Sequence, residues 1–307
     1  MLPRRKMLLI VNPVSGRMTL RPKLWQILNL FCSAGMEPTV LFTQKRGDAR
    51  VFAAACPADT ETVVCAGGDG TLNEVISGLM DNPSAHTLGY LPVGTTNDLA
   101  NSLGLSKGAV KAAEDIIEGH TCLLDIGSFS GRYFNYIASF GAFTEASYNA
   151  TQEAKNLLGH AAYLLEGIMS LGNIRPYHVT FAFDGQCITG DFIFAAVANT
   201  TSLGGVLKLS DQLVAFNDGK FEVLLIRAPD SLARLQKIIG DLLSQHFSDD
   251  DVSLYHTSRL RITTDEEIDW TLDGEHQVGS PVVEIENIPN AVRLIVPRDG
   301  QKEKIVK

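Results

Sequence analysis

Three glycines within four residues surround one carboxylate in the stretch Cys65-Ala66-Gly67-Gly68-Asp69-Gly70-Thr71-Leu72-Asn73-Glu74-Val75. Glycine lets a backbone approach a bulky anion closely and adopt dihedrals closed to other residues. An apolar run, Thr62 to Val64, precedes the stretch, and an amphipathic segment from Leu72 to Met80 follows it. The order is strand, glycine turn, helix. The first N–H groups of such a helix have no partner within it and form a ready site for phosphate. A carboxylate at Asp69 would repel phosphates unless a cation stood between them, so the pattern suggests a nucleotide with Mg²⁺. The plainer reading is a tight turn with Thr71 as helix N-cap.

The elements that position this turn are regular. Met7 to Val11 is a continuous apolar run, expected for a strand buried on both faces, and it ends at Asn12-Pro13-Val14-Ser15-Gly16-Arg17. Helical spacing from Leu24 to Phe31, a strand at 39–42 followed by Thr43, and a short helix opened by Gly47-Asp48 come next. A fourth strand, 88–91, runs into Pro92-Val93-Gly94-Thr95-Thr96-Asn97-Asp98, and helices are expected at about 97–103 and 109–118. Strands alternating with helices indicate a doubly wound parallel sheet, whose ligands collect at the strands' carboxyl ends. The loops there are 12–17, 43–48, 66–71 and 93–98.

After Gly119 the pattern becomes mainly β, with strands expected at 123–129, 133–139, 177–183, 188–200, 221–226, 259–264, 268–272 and 282–286. Hairpin-type turns are expected at Asp184-Gly185, Asn217-Asp218-Gly219 and Asp273-Gly274, and helices at 152–171 and 231–244. The fold class is therefore α/β plus mainly-β: an N-terminal doubly wound parallel sheet and a C-terminal antiparallel, β-sandwich-like domain, with the active site in the cleft. The expected domains are 1–122, to which a tail from about 290 to 307 could return, and 123–289.

Composition excludes several classes. The 307 residues carry net charge −9, which argues against nucleic acid as the main partner, although residues 1–55 hold a balance of +7. That basic region could face phosphates or an anionic membrane. No apolar run reaches the roughly 20 residues of a membrane span. Five widely spaced cysteines read as reduced core residues. The patterns of P-loop, Rossmann, protein-kinase, serine-hydrolase and zinc-protease sites are all missing.

Asn12-Pro13-Val14-Ser15-Gly16, Gly67 to Glu74, Pro92 to Asp98, Asn217-Asp218-Gly219 and Asp273-Gly274-Glu275, in this order, resemble the diacylglycerol kinase catalytic family, which includes sphingosine and ceramide kinases. The similarity runs from about residue 5 to 297 and is strongest toward the soluble bacterial diacylglycerol kinases. The sequence departs at Leu99-Ala100-Asn101, where the family commonly has Phe and Arg, and in a longer loop before Asn217.

The resemblance implies transfer of the γ-phosphate of ATP to the hydroxyl of diacylglycerol, giving phosphatidic acid, with ATP and Mg²⁺ as cofactors. Alternatives are another lipid alcohol such as a sphingoid base or polyprenol, more distantly NAD, or a nucleotide-binding regulator without catalysis. It places the nucleotide against Asn12, Pro13, Val14, Ser15, Gly16, Thr43, Gly68, Asp69, Gly70, Thr71, Leu72, Asn73, Glu74 and Thr95. Asp273 matches the proton acceptor, with Glu275 beside it. An Asp there could take a hydroxyl proton during attack on the phosphoryl group, and two close carboxylates would raise one pKa by repulsion. Arg17 is a candidate for neutralising the transferred phosphate. Asp218 matches a structural Mg²⁺ position, with carbonyls from Ala215 and Lys220; the same residues suit an ordinary turn. A lipid substrate at the membrane surface, a cytoplasmic protein peripheral at the inner face, and a homodimer are the corresponding expectations.

Overall fold

The computed structural model describes residues 4–16, 20–142, 175–203, 207–210, 212–247 and 251–298. The helix expected at 152–171 lies outside them. Internal contacts divide the chain into two units, Met1–Ile126 with Pro289–Lys307, and Gly127–Ile288. The chain passes between them twice, inside two strands.

The first unit contains β1 (Arg5–Val11), α1 (Leu24–Ser33), β2 (Met36–Phe42), α2 (Asp48–Ala54), β3 (Thr62–Gly67), α3 (Asp69–Asp81), β4 (Thr87–Pro92), α4 (Asp98–Leu103) and α5 (Ala109–Glu118). β2, β1, β3 and β4 pair in parallel in that order. The end of the last strand joins β4 through Arg293↔Thr87 and Leu294↔Leu88, also in parallel. The apolar run of β1 is buried on both faces, as its continuity requires. Met7, Leu9 and Val11 pack with Ile27 and Phe31 of α1 and with Ala112, Ala113 and Ile116 of α5. Their neighbours Leu8 and Ile10 are equally buried, and α2 packs against α3. This is the doubly wound layer expected.

The second unit begins within β5 (His120–Phe129) and continues through β6 (Arg132–Phe134), β7 (Ile137–Gly141), β8 (Tyr177–Phe183), β9 (Gln186–Ala198), the short β10 (Ser202–Leu203) and β11 (Leu207–Lys208), and β12 (Phe221–Arg227). α6 (Leu232–Ser244), β13 (Val252–Thr257), β14 (Arg259–Thr264), β15 (Asp269–Leu272), β16 (Glu275–Val278) and β17 (Val282–Val296) complete it. Among the described residues its strands pair antiparallel, as β9 does with β7, β8 and β12, and β14 with β8 and β17. Its core is aromatic: the Trp270 ring meets Phe129 at 5.0 Å and Phe140 at 4.8 Å, both edge-on.

Four readings need correction. The strand expected at 133–139 is two strands, because the N–H groups between them turn aside to a carboxylate described below. The strand expected at 282–286 continues to Val296, with an irregularity where Asn290 adopts φ +54° and gives its N–H to Asp125 Oδ1 at 2.7 Å. Asn217-Asp218-Gly219 does not close a hairpin; it leads into β12, whose partners are β9 and β13. All five cysteines are free thiols, and Cys32 and Cys187 are exposed rather than in the core.

Asp251 ties α6 to this unit. Its side chain is 5% exposed and pairs with Arg234 and with Lys237, the latter at 2.6 Å. Burial pushes its carboxyl up, but hydrogen bonds from Lys237 and Arg234, and their charges, outweigh that and leave it below the ordinary range. Its stabilising effect is therefore complete above the ordinary carboxylate pKa and is lost as pH falls through the lower folded value. Asp251→Ala is expected to cost about 2–4 kcal/mol at neutral pH, somewhat under the figure for fully buried pairs because both cations reach solvent. Denaturant titration at pH 7 checks it, and the gap between variant and wild type should close only in strong acid.

Candidate active site

The glycine turn is a helix start. Gly68 is the N-cap of α3, and the first bond within the helix runs from Leu72 N–H to Gly68 O at 3.0 Å. The N–H groups of Asp69, Gly70 and Thr71 precede that bond, the position from which a helix binds anions. Thr71 is therefore not the cap; it lies inside the first turn, and its Oγ1 accepts Asn12 Nδ2–H at 2.9 Å. Leu72 turns its side chain into the core, where it is 1% exposed.

Three of the four strand-end loops of the first unit, 12–17, 66–71 and 93–98, touch one another, and the 43–48 loop is tied to β1 and α3. Asn12 also caps its own loop, its Oδ1 accepting Val14 N–H at 3.1 Å, while Thr43 N–H reaches Val11 O at 3.0 Å. A Cβ on Gly16 would stand 1.6 Å from Val93 O, and one on Gly94 would stand 2.4 Å from Gly68 Cα. The glycines thus serve loop-to-loop packing as well as any anion. Glu74 spends both oxygens at the entry of α2, accepting Gly47 N–H at 2.8 Å and Ala49 N–H at 3.2 Å. Pro13 and Ser15 are half-buried, whereas Val14, Gly70 and Thr95 are exposed.

Asn97 is a contributor that sequence reasoning missed. It adopts φ +53°, a conformation Asn tolerates better than most residues. Its Oδ1 accepts Gly94 N–H at 3.0 Å and the Tyr90 hydroxyl at 3.2 Å, and its Nδ2 donates to Gly94 O at 3.0 Å. The 93–97 loop is closed by this one amide. An Asn directly before a helical run was the available signal.

Asp69 sits beside that loop. Burial pushes its carboxyl above the ordinary range, and the N–H groups of Asp98, Asn97 and Leu99 at the entry of α4 offset this only in part. Its Oδ1 is buried with no close hydrogen-bond partner among the described residues. A carboxylate oxygen in that condition fits a cation or a cation-bound water.

In the second unit, Asp273 and Gly274 form the two-residue turn between β15 and β16, with φ of +49° and +83°. Both central residues of a type I′ hairpin turn require positive φ, and Asp-Gly suits it. The Asp273 side chain is turned inward, and the residue is 6% exposed. Oδ2 accepts Asn135 N–H at 2.6 Å, and Oδ1 accepts the N–H groups of Tyr136 and Ile137 at 3.0 and 3.1 Å. Its own N–H goes back to Ile137 O at 2.9 Å. These donors divide β6 from β7. Beside it, Glu275 Oε2 receives Arg132 Nη2–H at 2.6 Å.

The remaining expected positions are less built. Asp218 is exposed and its Oδ1 accepts Lys220 N–H at 3.0 Å, an ordinary side-chain turn. Ala215 precedes it in the same loop. Among the described residues, no group of three or more His, Cys, Asp or Glu side chains is arranged for a metal, so a cation at Asp218 would depend on main-chain carbonyls. Arg17 lies outside the described residues.

Two family models match the chain: the diacylglycerol kinase catalytic domain over residues 6–129, and the YegS C-terminal NAD kinase beta sandwich-like domain over residues 138–296. The chain is 33% identical to the diacylglycerol kinase of Bacillus subtilis (strain 168), across 96% of this chain and 97% of that one. It is 31% identical to the diacylglycerol kinase of Staphylococcus carnosus (strain TM300), across 99% of both. Among solved structures, a candidate diacylglycerol kinase from Bacillus anthracis str. Sterne matches at TM-score 0.77 and 27% identity, covering 100% of this chain and 98% of that one.

Proposed function

We propose, on the premise that this chain belongs to the diacylglycerol kinase family, that it transfers the γ-phosphoryl group of ATP to the hydroxyl of diacylglycerol, giving phosphatidic acid. It is a lipid kinase; the identity of the acceptor and the assignment of roles to residues are our reading. The observation that carries the reading is the start of α3, where three N–H groups precede the helix's first internal bond and Asp69 has a buried oxygen with no hydrogen-bond partner among the described residues.

In this reading the N–H groups of Asp69, Gly70 and Thr71 receive phosphate oxygens. Asn12, Asn97 and Glu74 keep the surrounding loops in register, with Pro13 to Gly16, Thr43, Asn73 and Thr95 lining the nucleotide. Asp69 would hold Mg²⁺ or its water. The cation, when bound, neutralises charge that builds on the phosphoryl oxygens. Asp273 accepts the hydroxyl proton. Its orientation is set by three main-chain donors, so correct placement does more than basicity. Asp218, with the carbonyls of Ala215 and Lys220, would hold a second, structural cation.

No helix among the described residues is long and apolar enough to cross a membrane. A lipid acceptor requires contact with a membrane surface, so we read the protein as peripheral; a cytoplasmic location and a homodimer are proposed on family likeness alone.

The test is phosphoryl transfer from labelled ATP with Mg²⁺ across diacylglycerol, ceramide, sphingosine, a polyprenol and NAD. Label in phosphatidic acid is the expected result. Label confined to NAD would overturn the lipid reading, and label confined to another lipid would replace the acceptor.

A further inference from the structure

Arg132 is the first residue after the turn Ser130-Gly131, which closes β5 onto β6 with Phe129 opposite Arg132. That turn also has positive φ at both positions, +47° and +90°. Ser130 fixes it to β17, giving its N–H to Glu284 O at 2.8 Å and accepting Glu284 N–H at 3.3 Å. Phe129 is held in turn by the Trp270 ring of β15. The main chain at Arg132 is therefore fixed on two sides before its side chain makes any contact.

The guanidinium reaches 143 residues along the chain. Nη2 donates to Glu275 Oε2 at 2.6 Å and Nη1 to Gln277 Oε1 at 2.6 Å. Glu275 and Gln277 are two apart on β16, so they project from one face of the strand. That face is shared with Leu272 and Trp270, their register partners on β15. A planar guanidinium with two parallel donors matches this spacing better than a point charge. The two contacts begin immediately after Gly274 and grip the strand that leaves the turn. Three residues after Arg132, the N–H groups of Asn135, Tyr136 and Ile137 grip the turn's carboxylate.

We infer that Arg132 is a positioning residue for the Asp273 turn, acting through Glu275 and Gln277, and that Glu275 serves this reaction as the link to Arg132 and does not itself exchange a proton with substrate. Segment 132–137 then sets the turn from both ends: side-chain donors hold β16 and main-chain donors hold Asp273. The inference rests on the proposed role of Asp273.

The experiment is a double-mutant cycle with Arg132→Met and Glu275→Gln, read as kcat and as KM for ATP, with Arg132→Lys and Asp273→Ala beside it. Arg132→Met is expected to lower kcat about 10- to 50-fold, the scale of a misplacement under an ångström. KM for ATP should stay within about twofold, because the nucleotide loops belong to the other unit. Glu275→Gln in the Arg132→Met background should add less than about twofold, since the two act on one contact. Arg132→Lys keeps the charge but cannot span both acceptors, so it should recover part of the loss and supply the folded variant if Met does not fold. Unchanged kcat in Arg132→Met, a loss in KM alone, or losses that multiply in the double mutant would each overturn the inference. An active Asp273→Ala would overturn the proposed proton acceptor instead. An inactive Asp273→Ala with an unaffected Arg132→Met would overturn only the role of Arg132.

Discussion

Asp273→Ala is expected to lose both turnover and stability, and the two losses can be separated. Removing a proton acceptor costs on the order of 10²–10⁴ in kcat. Removing this carboxylate also leaves the N–H groups of Asn135, Tyr136 and Ile137 without their acceptor. An unsatisfied buried donor costs about 1–3 kcal/mol, and relaxation at the turn should limit the total to about 3 kcal/mol. Ala also takes positive φ less readily than Asp. A fall in Tm of about 5–10 °C follows for a chain of this size. Asp273→Asn divides the effects. Its carbonyl can still serve Tyr136 and Ile137, but its amide faces the Asn135 N–H, donor against donor, and it cannot accept a proton. Asn should therefore lose as much kcat as Ala and only part of the Tm. An Asn variant that turns over at near the wild-type rate would remove Asp273 from proton transfer and leave it the structural clamp its hydrogen bonds describe.

The parallel layer was legible because its signals are local. A continuous apolar run such as Met7 to Val11 can only be buried on both faces, and β1, β3 and β4 end in loops whose glycines mark close approach. The turn residues at Asp184-Gly185 and Asp273-Gly274 were legible for the same reason, since positive φ restricts residue type. What each glycine approaches was not legible. Gly16 meets Val93 and Gly94 meets Gly68 across different loops, and nothing in the sequence pairs them. The Arg132 contacts were hidden by 143 residues of separation. Pro289-Asn290 reads as a break, yet β17 continues through it because the buried Asp125 carboxylate takes the diverted N–H. Residues 133–139 have strand character throughout, and only the inward Asp273 side chain explains why the ladder parts there. The site was thus visible as a set of residue types, while the bonds that aim them are tertiary.

Asp69→Asn is expected to abolish turnover and, at neutral pH without nucleotide, to raise Tm. The carboxyl is pushed up by burial, and the N–H groups at the start of α4 do not fully compensate. A carboxyl with a raised folded pKa keeps its proton over a range where the unfolded chain has lost it. Stability therefore falls as pH rises from the ordinary value of 3.8 to the folded value, and above that the whole penalty is present. Asn retains an oxygen for the α4 donors and carries no charge, so it removes the penalty at pH 7 and has nothing to remove below the ordinary value. The Tm advantage of the variant should thus be largest near neutrality and vanish in acid at about pH 4. Mg²⁺ with ATP should reverse the order, because a ligand that binds only the folded form stabilises the wild type through its binding energy. A residue kept at a cost to the free protein and repaid by ligand marks a binding function. Thermal melts of both proteins at neutral and acid pH, with and without Mg²⁺ and ATP, measure all four quantities. A variant less stable than wild type at pH 7 without ligand would show that Asp69 is held for the fold, and the buried oxygen at the start of α3 would then need another explanation.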